Sequence, residues 1–133
     1  MVSKDDIIFV VRNTLYDLEM YSKDAEALLI RTGSAESGYR YLRQIGTGPA
    51  RSFWQVEANT CLDNIENYLA YRKKKLKLVA DVSQTTPEII ENLDSNSASR
   101  LLTNNIAFAI CMARIKYWRI PHRIPKADDI EGQ

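Results

Sequence analysis

The chain has 133 residues, of which 45% are hydrophobic and 26% charged, the usual mix for one globular domain. Eighteen Lys and Arg against seventeen Asp and Glu leave a net charge of +1, so no global field attracts nucleic acid or an anionic membrane. We therefore expect a single domain over residues 1–133, with any partner selected by a local site.

The cysteines, the histidine and the first residues bear on disulfides, metal binding, secretion and membrane insertion. Cys61 and Cys111 each lie in an apolar helical pattern, so we predict two free, buried thiols. With His122 as the sole histidine, we expect no metal site, and nothing in the sequence implies another cofactor. Acidic Asp5 and Asp6 precede only a short apolar run, which predicts no secretory signal. No window reaches the ~18 apolar residues of a membrane span, so we expect no membrane insertion.

The predicted elements begin with two helices. Ser3 is expected to cap the first, with Asp6 in the reciprocal position of a capping box. Apolar residues then recur at three- and four-residue spacing as one buried stripe, Ile7, Val11, Leu15 and Leu18. Ser22 is predicted to begin a second, short helix, with Leu28 and Leu29 facing inward.

A change of composition follows between residues 33 and 52. This stretch holds four of the five glycines together with Pro49, and Gly33 is expected to end the second helix. We predict a long folded loop, with a short strand over residues 41–45. A loop of this length inside a small domain is usually functional.

Helical patterns resume after the loop. Thr60 and Asp63 repeat the capping-box spacing, which predicts a third helix beginning there. Its buried stripe is expected to comprise Leu62, Ile65, Leu69, Leu76 and Val79. Thr86, Pro87 and Glu88 have the pattern of a further helix start, with proline at the first helical position.

The last predicted helix is the most apolar. We expect a turn over residues 94–99 and then a long helix over residues 98–117, ended by Pro121 and Pro125. Its centre, residues 106–113, is almost wholly apolar, as in the buried axis of a helical domain. Together these patterns predict an all-α fold with a long glycine-containing loop and at most a minimal β element.

Two short motifs indicate a chemistry. Glu36 is followed by Ser37 and bordered by small residues. Gln55 lies nineteen positions after Glu36 and is directly preceded by two aromatic residues. This combination resembles the lysozyme-like fold of lytic transglycosylases and goose-type lysozymes, whose first motif is a catalytic Glu-Ser at a helix end. Their second motif is a Gly-apolar-apolar-Gln segment about that far downstream, although here Ser52 replaces the glycine.

The likeness is closest to small bacteriophage proteins of that superfamily. It rests on the run Gln55-Val56-Glu57, on Asp63, on Asn67-Tyr68-Leu69 and Tyr71-Arg72, and on residues 111–117, and it covers roughly residues 25–131. It implies a glycosidase that cleaves the MurNAc–GlcNAc bond of the peptidoglycan glycan strand. The implied location is the virion, or the host cytoplasm before release.

The resemblance also implies roles for particular residues. Glu36 is expected to act as the general acid and base, which requires surroundings that keep it protonated near neutral pH. Gln55 is expected to position the loop or the substrate, while the predicted cleft is lined by Tyr39, Trp54, Glu57 and Tyr68. Lytic transglycosylases work with one glutamate and leave a 1,6-anhydro product. A second carboxylate, Glu57 or Asp63, would orient a water and give hydrolysis instead, and the sequence leaves both outcomes open.

Two alternatives remain at this stage. The chain stops at Gln133, before the Tyr-Asn segment that lines the cleft in active relatives, so the cleft is incomplete, closed by another subunit, or inactive. A virion structural or assembly protein that keeps the fold without catalysis would fit this, with other virion proteins as its partners. Residues 72–77 hold five basic residues and are the one candidate for nucleic-acid binding. Such a run is usually a solvated face, so we expect no nucleic-acid partner.

Overall fold

The computed structural model describes residues 3–37, 50–51 and 54–120, and helices dominate this part of the chain. The α-helices are α1 Lys4–Asp17, α2 Lys23–Ser37, α3 Ala58–Asn67, α4 Lys73–Val82, α5 Pro87–Glu91, α6 Ser95–Asn104 and α7 Ile106–Trp118. A 3-10 helix, Leu69–Tyr71, joins α3 to α4. Strands β1 (Ala50–Arg51) and β2 (Val56–Glu57) pair antiparallel, with Ala50 opposite Glu57. The predicted all-α fold with a minimal β element is therefore confirmed.

Helix α7 is the axis of the core. Every residue from Phe108 to Ile115 is buried, and the helix packs against α1, α2, α3, α4 and α6. A helix that is apolar on all faces is stable only when neighbours cover it on all sides. The prediction of a buried axis at this apolar run is confirmed.

The first two helices begin at the predicted caps, although α1 has only the Ser3 half of the predicted capping box. The Ser3 side chain accepts a hydrogen bond from the Asp6 amide, and the predicted α1 stripe from Ile7 to Leu18 is buried throughout. Ser22 Oγ accepts from the Ala25 amide at 3.0 Å at the beginning of α2. Leu28 and Leu29 face the core, as predicted.

Helix α2 does not end at Gly33, so that prediction is wrong. The helix runs four residues further, to Ser37, and Gly33 is buried inside it. A glycine within a helix costs about 0.5–1 kcal/mol relative to alanine. Burial of the helix face outweighs that cost here. The predicted strand over residues 41–45 lies outside the described residues.

The third helix also differs from its prediction. α3 begins at Ala58 rather than at a Thr60–Asp63 capping box, and Asp63 bonds to Asn67 and Arg119 instead. The stripe does not lie on one helix, because Tyr68 and Arg72 have non-helical backbone angles and separate α3 from α4. Leu62 is only partly buried, whereas the other members of the stripe are core residues. This break changes the direction of the chain, so that both α3 and α4 pack against the core.

Capping residues define the later helices. The Thr86 side chain accepts from the Ile89 amide with Pro87 at the first helical position, which confirms that helix start. The predicted turn at 94–99 is instead the beginning of α6, because Asp94 and Ser97 form a capping box. The predicted helix over 98–117 is interrupted at Asn105, whose side chain accepts from the Phe108 amide and donates to the Ser83 carbonyl. Asn105 thus ends α6 and caps α7.

Both cysteines are free and buried, as predicted. Burial raises the pKa of the Cys61 thiol and of the Cys111 thiol to about 12. Such thiols stay protonated at neutral pH and are poor nucleophiles. Over residues 3–37, 50–51 and 54–120, the helices are too short or too polar to cross a membrane.

Candidate functional site

Glu36 and Ser37 are the last two residues of α2. The side chain of Glu36 lies outside what the structure describes, and so does the whole of Tyr39. One helical turn before Glu36, Thr32 Oγ1 lies 3.4 Å from the Tyr117 hydroxyl of α7. Because residues four apart share a helix face, the face of α2 that carries position 36 is the one that contacts the end of α7.

Trp54 ties the second motif to α2. Trp54 is 4% exposed, and its Nε1 donates to the Leu29 carbonyl at 2.8 Å. Leu29 precedes Glu36 by seven residues, which is about 10 Å along a helix axis. The segment that carries Gln55 is therefore fixed against α2, the helix whose last turn contains Glu36. In this structure Trp54 is a core side chain, and a part for it in lining a cleft stays a prediction.

Gln55 has a left-handed backbone, with φ of 51°. A residue other than glycine in this region is strained by about 1–2 kcal/mol, so the surrounding structure must hold it there. It lies between the anchored Trp54 and Val56, which is buried and paired with Arg51. Glu57 follows with an exposed side chain and directly precedes α3.

A pocket of about 570 Å³ opens elsewhere, between the α1–α2 connection, α4 and the end of α7. Of the predicted cleft residues it contains Tyr68, which is 7% exposed and has the Arg72 guanidinium 4.1 Å from its ring centroid. Trp54, Gln55 and Glu57 do not line it. The side chains with the clearest chemical character in its wall are Glu19, Tyr21, Tyr68, Lys75, Arg114 and Trp118.

Arg114 is the most unusual group in this wall. It is 4% exposed, its Nε donates to the Met20 carbonyl at 3.0 Å, and the Trp118 ring centroid lies 5.3 Å from its guanidinium carbon. Its Nη1 is buried without a hydrogen-bond partner among the described residues. Burial lowers the pKa of Arg114, with Tyr68 opposing the change. A buried charged donor left unpaired is costly, so such a group usually has a further partner.

Lys75 supplies the second cation of the pocket. Its Nζ donates to the Leu18 carbonyl at 2.9 Å, and burial lowers the pKa of Lys75 while Glu19 opposes the change. Its basic neighbours Lys74 and Lys77 are exposed, as expected for a solvated face, but Lys75 is half-buried. Glu19 and Asp24 also line the pocket, so the wall carries both signs of charge.

The sequence analysis did not predict that Lys75 and Arg114 line the same pocket. The available signal was an arginine directly after an apolar run that was itself predicted to be buried. No group of three His, Cys, Asp or Glu side chains within the described ranges is arranged as metal ligands. No protein-family model, curated protein or solved structure matches this chain.

Proposed function

We propose that this protein cleaves the MurNAc–GlcNAc bond of peptidoglycan, with Glu36 as general acid and then general base. The observation that supports this best is the Trp54–Leu29 hydrogen bond, which holds the Gln55 segment against the helix ending in Glu36-Ser37. In the lysozyme-like proteins that the chain resembles, a glutamate at a helix end works beside such a glutamine segment. The fold class also agrees with that resemblance, although many unrelated activities share all-α folds.

The position of residue 36 suits an acid. The C-terminal end of a helix carries partial negative charge on its unpaired carbonyl groups, which disfavours a nearby carboxylate. An acid that remains protonated near neutral pH can protonate the leaving oxygen of a glycosidic bond. The same residue, once ionised, takes the proton of the attacking hydroxyl.

A single-glutamate reaction is favoured over one that uses two carboxylates. Asp63 is already engaged, since it accepts from Asn67 at 2.6 Å and pairs with Arg119 at 2.9 Å. Those contacts lower the pKa of Asp63 and occupy the oxygens that would orient a water. Glu57 remains the better second carboxylate because its exposed side chain takes no part in the ion pairs between described residues, whereas Asp63 pairs with Arg119. With Glu36 alone, the 6-hydroxyl of the sugar attacks and a 1,6-anhydro product forms.

The test is digestion of isolated peptidoglycan, with mass spectrometry of the released muropeptides. Glu36→Gln is expected to lower release at least ~100-fold, the lower range for loss of a general acid. The matched control is Glu66→Gln, an exposed carboxylate of α3, and it should act as wild type. Thermal unfolding of Glu36→Gln should stay close to that of wild type.

The products separate the two chemistries. If the wild-type protein releases anhydro-muropeptides and Glu57→Gln releases them equally well, the single-glutamate reaction is supported. If the wild-type protein releases muropeptides with reducing ends and Glu57→Gln does not, the reaction is hydrolysis with Glu57 as the second carboxylate. No release by folded protein at mildly acidic or neutral pH would contradict catalysis and favour the virion structural role. A large drop in melting temperature for Glu36→Gln would make Glu36 a structural residue.

A further inference from the structure

We propose that the pocket between the α1–α2 connection and the end of α7 is a subsite for a carboxylate group of the peptidoglycan peptide, held by Arg114 and Lys75. The choice of peptidoglycan as the source of the carboxylate rests on the proposed function. Recognition of a carboxylate rests on the pocket itself.

Arg114 supplies the strongest reason. Its guanidinium is almost wholly buried, one nitrogen donates to the Met20 carbonyl, and Nη1 has no partner in the described part of the chain. Within the part of the chain that the structure describes, no salt bridge joins an acid to Arg114. A planar guanidinium presents its donors in a fork that matches the two oxygens of a carboxylate. A bound carboxylate would satisfy both the charge and the orphaned donor.

Trp118 lies next to the Arg114 guanidinium in the pocket wall. Its ring lies over the guanidinium and is 56% exposed, whereas Nη1 itself is closed off from solvent. The donors of a guanidinium lie in its plane, so a ring stacked on the face does not occupy them. Because the exposed Trp118 indole lies beside the guanidinium, we expect a ligand bound to Arg114 to change the surroundings of Trp118.

Lys75 and the acids make the site selective. The ammonium of Lys75, a half-buried residue, lines the same wall and donates to the Leu18 carbonyl. Glu19 and Asp24 face the same cavity and repel excess negative charge. Acids in the same wall disfavour a phosphate dianion more than a ligand with one negative charge, because repulsion grows with the charge of the ligand.

The remaining wall suits the rest of a muropeptide. Tyr21, Tyr68 and Tyr117 line the pocket beside Trp118, and aromatic rings offer apolar faces for a sugar or an alkyl chain. A volume of about 570 Å³ is within the usual range for small-molecule sites. Tyr117 also contacts Thr32, one turn before Glu36 on the same helix face. A ligand anchored by its carboxylate therefore lies beside the helix that carries the proposed acid.

Binding is measured by tryptophan fluorescence on the Glu36→Gln variant, which removes turnover from the titration. The probe is N-acetylmuramyl-L-alanyl-D-isoglutamine, which carries one carboxylate, and its methyl ester is the matched ligand control. The free dipeptide L-alanyl-D-isoglutamine and inorganic phosphate complete the set. A Trp118→Phe variant identifies the signal, because the other tryptophan, Trp54, is buried in the core.

The acid is expected to bind at least about tenfold more tightly than its ester, as for a hydrogen bond to a charged group. Arg114→Met and Lys75→Met should each remove most of that preference. Arg100→Met and Lys77→Met, which replace exposed cations, should not. Lys75→Met keeps the test valid if Arg114→Met fails to fold.

Each outcome of the titration either supports or overturns the carboxylate subsite. Equal binding of acid and ester, unchanged binding by both Met variants, or tighter binding of phosphate would overturn the carboxylate subsite. Tight binding of the free dipeptide supports the carboxylate site and places the source in the peptide rather than the sugar. Acid-selective binding without peptidoglycan cleavage by the unsubstituted protein would retain the subsite and contradict the proposed function alone.

Discussion

Polar groups are buried on two sides of α7, and the two sides differ in whether those groups have all their hydrogen-bond partners. On the side facing α3, Asn64 is 1% exposed, donates to the Met112 carbonyl at 3.1 Å and accepts from Arg119 at 3.0 Å. Arg119 in turn pairs with the exposed Asp63, so this network is closed from the core to the surface. On the side facing the α1–α2 connection, Arg114 has one carbonyl partner and an orphaned nitrogen beside a pocket.

This difference distinguishes Asn64, a polar group that supports the fold, from Arg114, the group that we propose binds a ligand. A satisfied buried amide specifies how two helices pack, because losing any partner leaves another group unpaired. An unsatisfied buried cation has a desolvation penalty that the fold itself does not recover. We therefore expect substitutions on the α3 side to change stability, and substitutions on the pocket side to change binding.

The largest effect is expected from Asn64→Ala. It removes an amide with partners on both ends from a fully buried position and leaves a small cavity, which should lower the free energy of unfolding by about 2–3 kcal/mol. Denaturant unfolding monitored by circular dichroism measures this. The control is Asn67→Ala, one turn away and exposed, which should change stability by less than about 0.5 kcal/mol. Equal losses in the two variants would contradict the distinction between the sides of α7.

A smaller effect on stability is expected from Arg114→Met. The apolar chain of methionine fills much of the same space without a buried charge, so the free energy of unfolding should stay within about 1 kcal/mol of wild type. The same denaturant titration measures it, beside Arg100→Met as the exposed control. A loss as large as that of Asn64→Ala would show that Arg114 supports the fold as strongly as the closed network does.

The smallest effect concerns Asp63 at the exposed end of the network. Bonds from Asn67 and Arg119 lower the pKa of Asp63 from its usual value of 3.8. A lowered folded-state pKa stabilises the protein above the unfolded value, and this contribution disappears as pH falls through the folded value. The difference in unfolding midpoint between wild type and Asp63→Asn should therefore be present at pH 7 and shrink below about pH 4. A difference of the same size at pH 7 and at about pH 3 would contradict this account of Asp63.

Local signals made much of the fold predictable. Ser3 and Thr86 act on amides three residues away, and the α1 stripe depends only on helical periodicity, so these features could be read from the sequence. The failures at Gly33 and Asn105 have the opposite cause. A buried glycine inside a helix and a helix break within an apolar run are decided by what packs around them, which local patterns do not contain.

The candidate site likewise has residues that the sequence predicts and residues that only the fold brings together. Glu36, Gln55 and Trp54 were selected by motif resemblance, and the contact that joins the two motifs spans only 25 residues. The pocket instead combines Met20 with Arg114, which are 94 residues apart, and Lys75 from a run that looked entirely solvated. Nothing in a single sequence reports that such distant residues share a wall.

The bond between Met20 and Arg114 also has a consequence for biosynthesis. α1 leaves the ribosome before α7, yet its stripe packs against α7, which is translated about 90 residues later. At about 5–20 residues per second, that interval is on the order of ten seconds. During it the apolar face of α1 lacks one of its main neighbours and is open to chaperones and proteases. The nascent chain can complete its core only when α7 has emerged, so folding is delayed until nearly all the described helices have been made.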